Sequence, residues 1–506
     1  MSAHTGLSKS KLLLYRQCPK RLWLQIHRPE LAEESDEVER VMAAGTLVGE
    51  VARDLLPGGI LIETGDLAGN VELTRQLLAS QPDTPLFEAT FAHDGVLVRT
   101  DLLIPDGAGH CLAEVKSSTR VKPYHLDDAA IQTWVAQGAG VAVTQVELAH
   151  INNRFVYPGG GDYRGLFTHA DVTADVAERL PRVAAWVDGA KQVMRQGEPD
   201  IAPGAQCNDP FACPFAGYCD RKANPAGVVT TEFPVDILPR HGGLADVLHD
   251  EGFHDLRQVP EERLQREVHR KIWRISRTGR AEIADEGMQF ARDLPWPRFY
   301  LDFETIAFAV PRWPGTRPYQ QIPFQFSCHI EAAPGQLIPQ TFLSTDGSDP
   351  RRAFAEALIE ATNPALLTQL GIAGRPPGPI LVYSIGFERG RVMELAAHFS
   401  DLAPALNAIA ERMTDLLPIT RAHYYHPDMR GSWSIKAVLP TLGAGLDYAG
   451  MAVADGGMAQ QAYLEMIDPL TPPDRREDLR QGLLDYCALD TLALVRLVEC
   501  LASGEV

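Results

Sequence analysis

The run Phe299-Tyr-Leu-Asp-Phe-Glu304 is apolar except for two carboxylates two residues apart, Asp302 and Glu304. Neighbours two apart on a strand face the same side. Folded as a buried strand, this run sets both acids on one face and turns Leu301 and Phe303 to the core. Two carboxylates placed in that way can share a hard cation. Near the C-terminus, Tyr486 and Asp490 are four residues apart in a helical pattern and stack on one helix face. A phenol and a further carboxylate can therefore meet the same site.

The surroundings predict an α/β layout. A strand over Arg298 to Phe303 follows Pro295-Trp-Pro297; a second covers Phe324 to Glu331 and a third lies around Gln340 to Leu343, in the order of a meander. Helices are expected at Arg351 to Thr362, Phe387 to Phe399 and Arg480 to Leu501, with a strand from Pro379 to Ser384. That strand runs into Gly386-Phe-Glu388, so Glu388 sits at a strand-to-helix junction. Asp415, also between the first and last motifs, is either a further acidic ligand or a helix or turn cap.

At 506 residues, the chain exceeds the size of one growing core, and two or three domains are expected. We place them at 1–225, 226–295 (a helical connector) and 296–506. A net charge of -19 argues against broad electrostatic coating of nucleic acid. A local basic stretch, Arg257 to Arg280, is either a phosphate-contacting face or a solvated helix face. The N-terminus lacks a secretory leader and no run approaches the ~20 apolar residues of a membrane span, so a cytoplasmic protein is expected.

The ordered set of Asp302, Glu304, Glu388, Tyr486 and Asp490 resembles the DEDD exonuclease superfamily in its Tyr-x3-Asp variant. The resemblance implies a ribonuclease-H-like fold, two Mg2+ or Mn2+ ions held by Asp302, Glu304 and Asp490 with Glu388 as the remaining acid, and Tyr486 orienting the attacking water. Where the family usually has aspartate, this chain has Glu388. The segment Ser432-Trp-Ser-Ile-Lys436 fits a helix start that recurs in these exonucleases, and serine capping is its other reading.

The N-terminal half carries a second acidic constellation. Val96 to Ile104 and Cys111 to Lys116 read as two strands joined by a turn-rich segment, which brings Asp101 close to Glu114, with Lys116 on the same face as Glu114. Clustered cysteines in a long cytoplasmic chain point to metal or cluster binding rather than disulfides. Here Cys18 stands alone, followed far along by Cys207, Cys213 and Cys219. Together with Gln132 on the next helix, these residues resemble the RecB-type branch of the PD-(D/E)xK nucleases and its iron-sulfur, AddB-like members. That implies a restriction-endonuclease-like domain, a metal pair at Asp101 and Glu114, and a structural [4Fe-4S] clasp on Cys18, Cys207, Cys213 and Cys219. A four-thiolate zinc site is the competing physical reading. The family's helix histidine is replaced in Gly45-Thr-Leu-Val-Gly49-Glu50, with Glu50 as a candidate substitute; Thr100 stands where the family has proline, and Trp134 lies near the place of its aromatic.

The combination predicts a metal-dependent deoxyribonuclease, a 3'-5' exonuclease through its C-terminal site, acting in DNA repair or defence. Its expected partners are single-stranded or duplex DNA ends, with RNA as a second substrate candidate and a helicase or other repair or defence protein as companion. The alternative is a nucleic-acid-binding scaffold of a larger complex with one or both sites inactive.

Overall fold

The computed structural model describes residues 6–33, 36–223, 231–369, 371, 376–443, 447–448 and 450–505, with only the backbone for 36–44 and 364–365. It is a mixed α/β chain that divides into two units, Met1–Val228 with Phe308–Gln320, and Val229–Ala307 with Gln321–Val506. The expected boundary at Pro225 lies outside the described residues. The expected helical connector falls within the second unit from 229 onward. The reason is the apolar side of the helix Glu267–Thr278, where Ile272, Trp273 and Ile275 share one core with Leu494, Val498 and Leu501 of the final helix. An amphipathic helix gains stability chiefly by burying that side.

In the first unit, β1 (Leu7–Ser8), β2 (Ile60–Leu61), β3 (Leu86–His93), β4 (Val96–Asp106), β5 (Gly109–Lys116), β6 (Val143–Ile151) and β7 (Phe167–Asp171) form one sheet. Its order is β2-β3-β4-β5-β6-β7, and β1 pairs with the start of β4. Asp94 and Gly95, both with positive φ (46° and 72°), make the two-residue turn between β3 and β4, as an Asp-Gly hairpin requires. β4 and β5 are antiparallel, while β5 and β6 are parallel and joined through the helix Pro123–Gly138. Strand periodicity divides β5 between two cores. Leu112 packs with Ile131 and Val187 on one face; Cys111 and Ala113 pack with Ala52 and Phe87 on the other.

The segment 308–320 also belongs to this unit: Ala309 and Val310 pack with Val48, Ile151 and Tyr157, and the Tyr319 hydroxyl donates to the Ser117 carbonyl.

In the second unit, β8 (Glu282–Ile283) pairs with β14 (Tyr424–Tyr425), and the main sheet holds β9 (Arg298–Ile306), β10 (Ile322–Glu331), β11 (Leu337–Leu343), β12 (Ile380–Val382) and β13 (Met413–Asp415). Its order is β11-β10-β9-β12-β13. The first three strands are the expected antiparallel meander; β12 lies parallel to β9, and β13 parallel to β12. Helices Arg351–Thr362 and Gly386–His398 fall where expected, while the final helix, Pro473–Ser503, begins a turn or more earlier than Arg480. Pro473 occupies the first turn, the one helical position where a missing N–H costs nothing.

Sheet faces again follow the period of two. Phe299, Leu301 and Phe303 pack against Phe354, Val392 and Leu406, while Tyr300 joins the core under the final helix. No helix among the described residues is long and apolar enough to cross a membrane.

Candidate functional site

The face of β9 that carries Tyr300 also carries Asp302 and Glu304, and the final helix lays Asp490 against them. One ligand oxygen from each of the three carboxylates lies within 4.8 Å of the others. Glu304 and Asp490 are 8 % and 6 % exposed, so water does little to separate these charges. Burial, followed by repulsion from Asp490, Glu304 and Glu388, holds the Asp302 carboxyl well above its ordinary range. Burial and then Asp490 push Glu304 up to about 8. Asp490 rises to about 6, again through burial, with the Tyr448 hydroxyl and the Lys436 ammonium pulling the other way. Three carboxylates that repel one another in a buried space are relieved by a divalent cation.

Around the trio stand two phenols and one ammonium. Tyr486 precedes Asp490 by one turn, and the Tyr448 hydroxyl donates to Asp490 Oδ1. Burial and the neighbouring acids raise both phenols far above their usual range, so both remain protonated donors. Lys436 Nζ lies 5.4 Å from the Tyr448 ring centre and 5.6 Å from that of Tyr486, while donating to the Ala454 carbonyl at 2.9 Å. Ser434 caps that short helix through the Ala437 N–H. The capping reading of the segment therefore holds at Ser434, and Lys436 lies beside the two phenols.

Glu388 is set apart from the trio. It lies in the first turn of the helix Gly386–His398, 3 % exposed, and its Oε2 is buried without a hydrogen-bond partner among the described residues. Burial, with Asp415 adding, pushes its carboxyl up to about 8, and its charge is felt at Asp302. Asp415 serves as a cap: Oδ1 accepts from Leu417 N and Ser384 N, each at 3.0 Å. Asp415→Ala is expected to cost about 1 kcal/mol of stability and leave Mn2+ affinity unchanged. Thermal melting beside a Mn2+ titration checks both.

In the first unit the β4–β5 pairing brings Asp101 to Glu114 as expected. The ladder pairs Leu102 with Ala113, and one step further Asp101 Oδ2 accepts from the Val115 N–H at 2.7 Å. Lys116 Nζ reaches Glu114 Oε1 at 2.8 Å and Asp128 Oδ2 at 2.5 Å. Gln132, fully buried, donates Nε2 to Glu114 Oε2 at 2.6 Å and to Asp128 Oδ1 at 3.0 Å. Burial, and then Glu114, push Asp101 up to about 7. Burial would also raise Asp128, yet Lys116 and Lys9 outweigh it and hold that carboxyl below its usual range.

Two members of this cluster are absent from the sequence reading. Asp128 sits four residues before Gln132 on the same helix, a spacing that could have revealed it. Lys9 Nζ meets Glu114 Oε1 at 2.8 Å and Asp128 Oδ1 at 3.4 Å; its only signal was membership of a basic cluster beside Cys18. Three residues considered around this site lie elsewhere. Glu50 is exposed and takes no part in these ion pairs, Trp134 packs edge-on against His93, and the Thr100 hydroxyl bonds the Ala89 carbonyl.

Cys18, Cys207, Cys213 and Cys219 line one small cavity together with Lys20 and Arg21, and all four are free thiols. Cys18 stands at the joint between the helices Lys9–Gln17 and Pro19–His27, and Cys219 is buried on the helix Ala216–Ala223. Gln17 Nε2 ties the joint across to the Gln206 carbonyl at 2.9 Å and the Phe211 carbonyl at 2.6 Å. The other four cysteines are buried: Cys111, Cys328 and Cys500 lie in three different hydrophobic clusters, and Cys487 Sγ meets the Asp302 carbonyl at 3.8 Å.

Four of the eight basic residues in the stretch Arg257 to Arg280 are ion-paired. Arg257 pairs with Asp255 and Glu232, Arg263 with Glu251, Arg270 with Glu267 and Arg274 with Glu282, while Lys271 donates to backbone carbonyls. These contacts fit the solvated helix face better than a phosphate track.

Residues 299–434 match a family described as a domain of unknown function, DUF2779. That span takes in Asp302, Glu304 and Glu388 but ends before Lys436, Tyr448, Tyr486 and Asp490. No curated protein matches the chain. Among solved structures, the crystal structure of SSO0001 is similar at 14% identity with a TM-score of 0.23, covering 43% of this chain and 88% of that one, a likeness too slight to carry an argument.

Proposed function

We propose that the chain is a metal-dependent nuclease that hydrolyses phosphodiester bonds in DNA, a 3'-5' exonuclease through its second-unit site, with a first unit of the iron-sulfur PD-(D/E)xK type, serving DNA repair or defence. The observation that carries this reading is the trio Asp302, Glu304 and Asp490, with ligand atoms within 4.8 Å of one another and two neighbouring protonated phenols, Tyr448 and Tyr486, beside it. The strand order β11-β10-β9-β12-β13, three antiparallel strands and then two parallel ones, supports a ribonuclease-H-like second unit. In the first unit, an antiparallel β3-β4-β5 followed by a parallel β6 beyond a helix supports the restriction-endonuclease-like assignment.

Asp302, Glu304 and Asp490 would hold the cations, with Glu388 bearing on them through its unpartnered oxygen. Divalent cations bound there supply charge stabilisation to the attacking and leaving oxygens of an in-line displacement. Tyr486 donates a hydrogen bond that orients the attacking water, and Lys436 puts a positive charge near where the phosphate must lie. Asp101, Glu114 and Lys116 are the corresponding set of the first unit, with Gln132 fixing Glu114.

For the cysteine clasp, the placement of Cys18, Cys207, Cys213 and Cys219 around one cavity supports a four-thiolate site, and their one-plus-three spacing along the chain favours a [4Fe-4S] cluster over zinc.

The test is incubation of the purified chain with end-labelled single- and double-stranded DNA and RNA in Mg2+ or Mn2+. The expected result is a stepwise ladder shortening from the 3' end, abolished by chelation. Absence of cation-dependent degradation in every combination would leave the scaffold reading in its place.

A further inference from the structure

The geometry points to Lys9 as a phosphate-binding residue of the first-unit site, held on Glu114 and Asp128 in the free protein and passed to a phosphodiester oxygen when a divalent cation takes the carboxylates. The inference rests on the reading of Asp101 and Glu114 as a cation site.

Three carboxylates, the buried Glu114 and Asp128 and the half-buried Asp101, face two ammonium groups, Lys9 and Lys116. Both lysines reach the same oxygen, Glu114 Oε1, at 2.8 Å. Lys116 by itself satisfies that oxygen and is anchored further on Asp128 at 2.5 Å, whereas Lys9 meets Asp128 only at 3.4 Å. A dication on Asp101 and Glu114 repels both ammonium groups and competes with them for the same lone pairs. The more weakly anchored Lys9 is the one that leaves.

Its destination is limited by where its backbone is fixed. Lys9 is the first residue of the helix Lys9–Gln17, which Ser8 caps and which ends at Cys18 of the clasp. The displaced ammonium therefore stays at the rim of the site on a flexible stem, with its side chain 21% exposed. The anion that arrives with the cation in a nuclease is the substrate phosphate, and a tethered ammonium is suited to it. Lys9 thus neutralises the empty site and contacts substrate in the filled one.

The test uses the full chain carrying Asp302→Asn and Asp490→Asn, so that second-unit carboxylates do not dominate Mn2+ binding. Electron paramagnetic resonance follows Mn2+, and fluorescence anisotropy follows a labelled DNA oligonucleotide at saturating Mn2+. Adding Lys9→Ala is expected to tighten Mn2+ binding about fivefold or more, to weaken DNA binding by roughly three- to tenfold and to lower its salt slope by about one. Lys9→Arg is expected to restore the DNA affinity. A merely structural lysine would not move the two affinities in opposite directions. Unchanged DNA affinity and salt slope in a folded Lys9→Ala protein, or Mn2+ binding that fails to tighten, overturns the role of Lys9. Mn2+ binding indifferent to Glu114→Gln in the same background overturns the cation site beneath it instead.

Discussion

Asp302→Asn is expected to lower the rate of cation-dependent DNA degradation by at least about a thousandfold, which is roughly 4 kcal/mol of transition-state stabilisation. Asparagine keeps the shape of the side chain but withdraws the charge that the trio contributes to a cation. The same substitution is expected to raise the melting temperature of the cation-free protein. Asp302, Glu304 and Asp490 all have carboxyls held above their unfolded values by burial and mutual repulsion. A carboxyl raised in this way adds stability when protonated and loses it as pH rises through the folded value. Without cation, the second unit should therefore become more stable as pH falls from about 8 towards about 6, the values to which Glu304 and Asp490 are pushed. Asp302→Asn should flatten that slope, and saturating Mn2+ should flatten it in the unmodified chain. Unchanged product ladders would sink the assignment of Asp302. A fall in activity joined to a fall in cation-free stability would signal damage to the fold rather than loss of a ligand.

How much of this site could be read in advance depends on whether its parts lie on one regular element. Asp302 and Glu304 were legible because a strand repeats every two residues, and Tyr486 and Asp490 because a helix brings residues four apart together. Gln132 entered only through the family resemblance, and Asp128, four residues before it on the same helix, could have been found by that spacing. Tyr448 and Lys9 had no such periodic mark. Tyr448 comes to Asp490 from a connecting segment, and Lys9 from a helix whose approach to Glu114 is fixed by tertiary packing. The packing of the connector follows a related rule. Its helical spacing is visible in the sequence, but whether the apolar side meets its own neighbours or the distant helix Pro473–Ser503 is decided by long-range contacts. Asp415, for which ligand and cap both stood open in the sequence, is engaged as a cap by the N–H groups of Ser384 and Leu417, a choice that depends on its local backbone.

Cys18→Ser in the full chain is expected to remove the broad visible absorption of an iron-sulfur cluster and to lower the melting transition of the first unit by about 10 °C, leaving that of the second unit in place. The argument starts from what else holds the N-terminal helices. Leu12 and Leu22 are buried in the core with Val183 and Val187, and the two Gln17 hydrogen bonds contribute about 1 kcal/mol each. A cluster on the four thiolates would add a constraint of another kind, because joining Cys18 to Cys207, Cys213 and Cys219 closes a loop that spans most of the unit. Cross-links over loops of such length stabilise by about 4 to 5 kcal/mol through lost chain entropy, and at about 2 to 4 °C per kcal/mol for units of this size the expected shift follows. Serine differs from cysteine by one atom and leaves the packing of Leu12 and Leu22 alone, so the shift reports the clasp rather than the core. The same loss should loosen the helix that presents Lys9 and weaken DNA binding at the first-unit site while second-unit exonuclease activity persists. Calorimetry, metal analysis and anisotropy on the same preparation separate the outcomes: zinc in place of iron overturns the cluster, and an unshifted first transition overturns the clasp as the element that closes the unit.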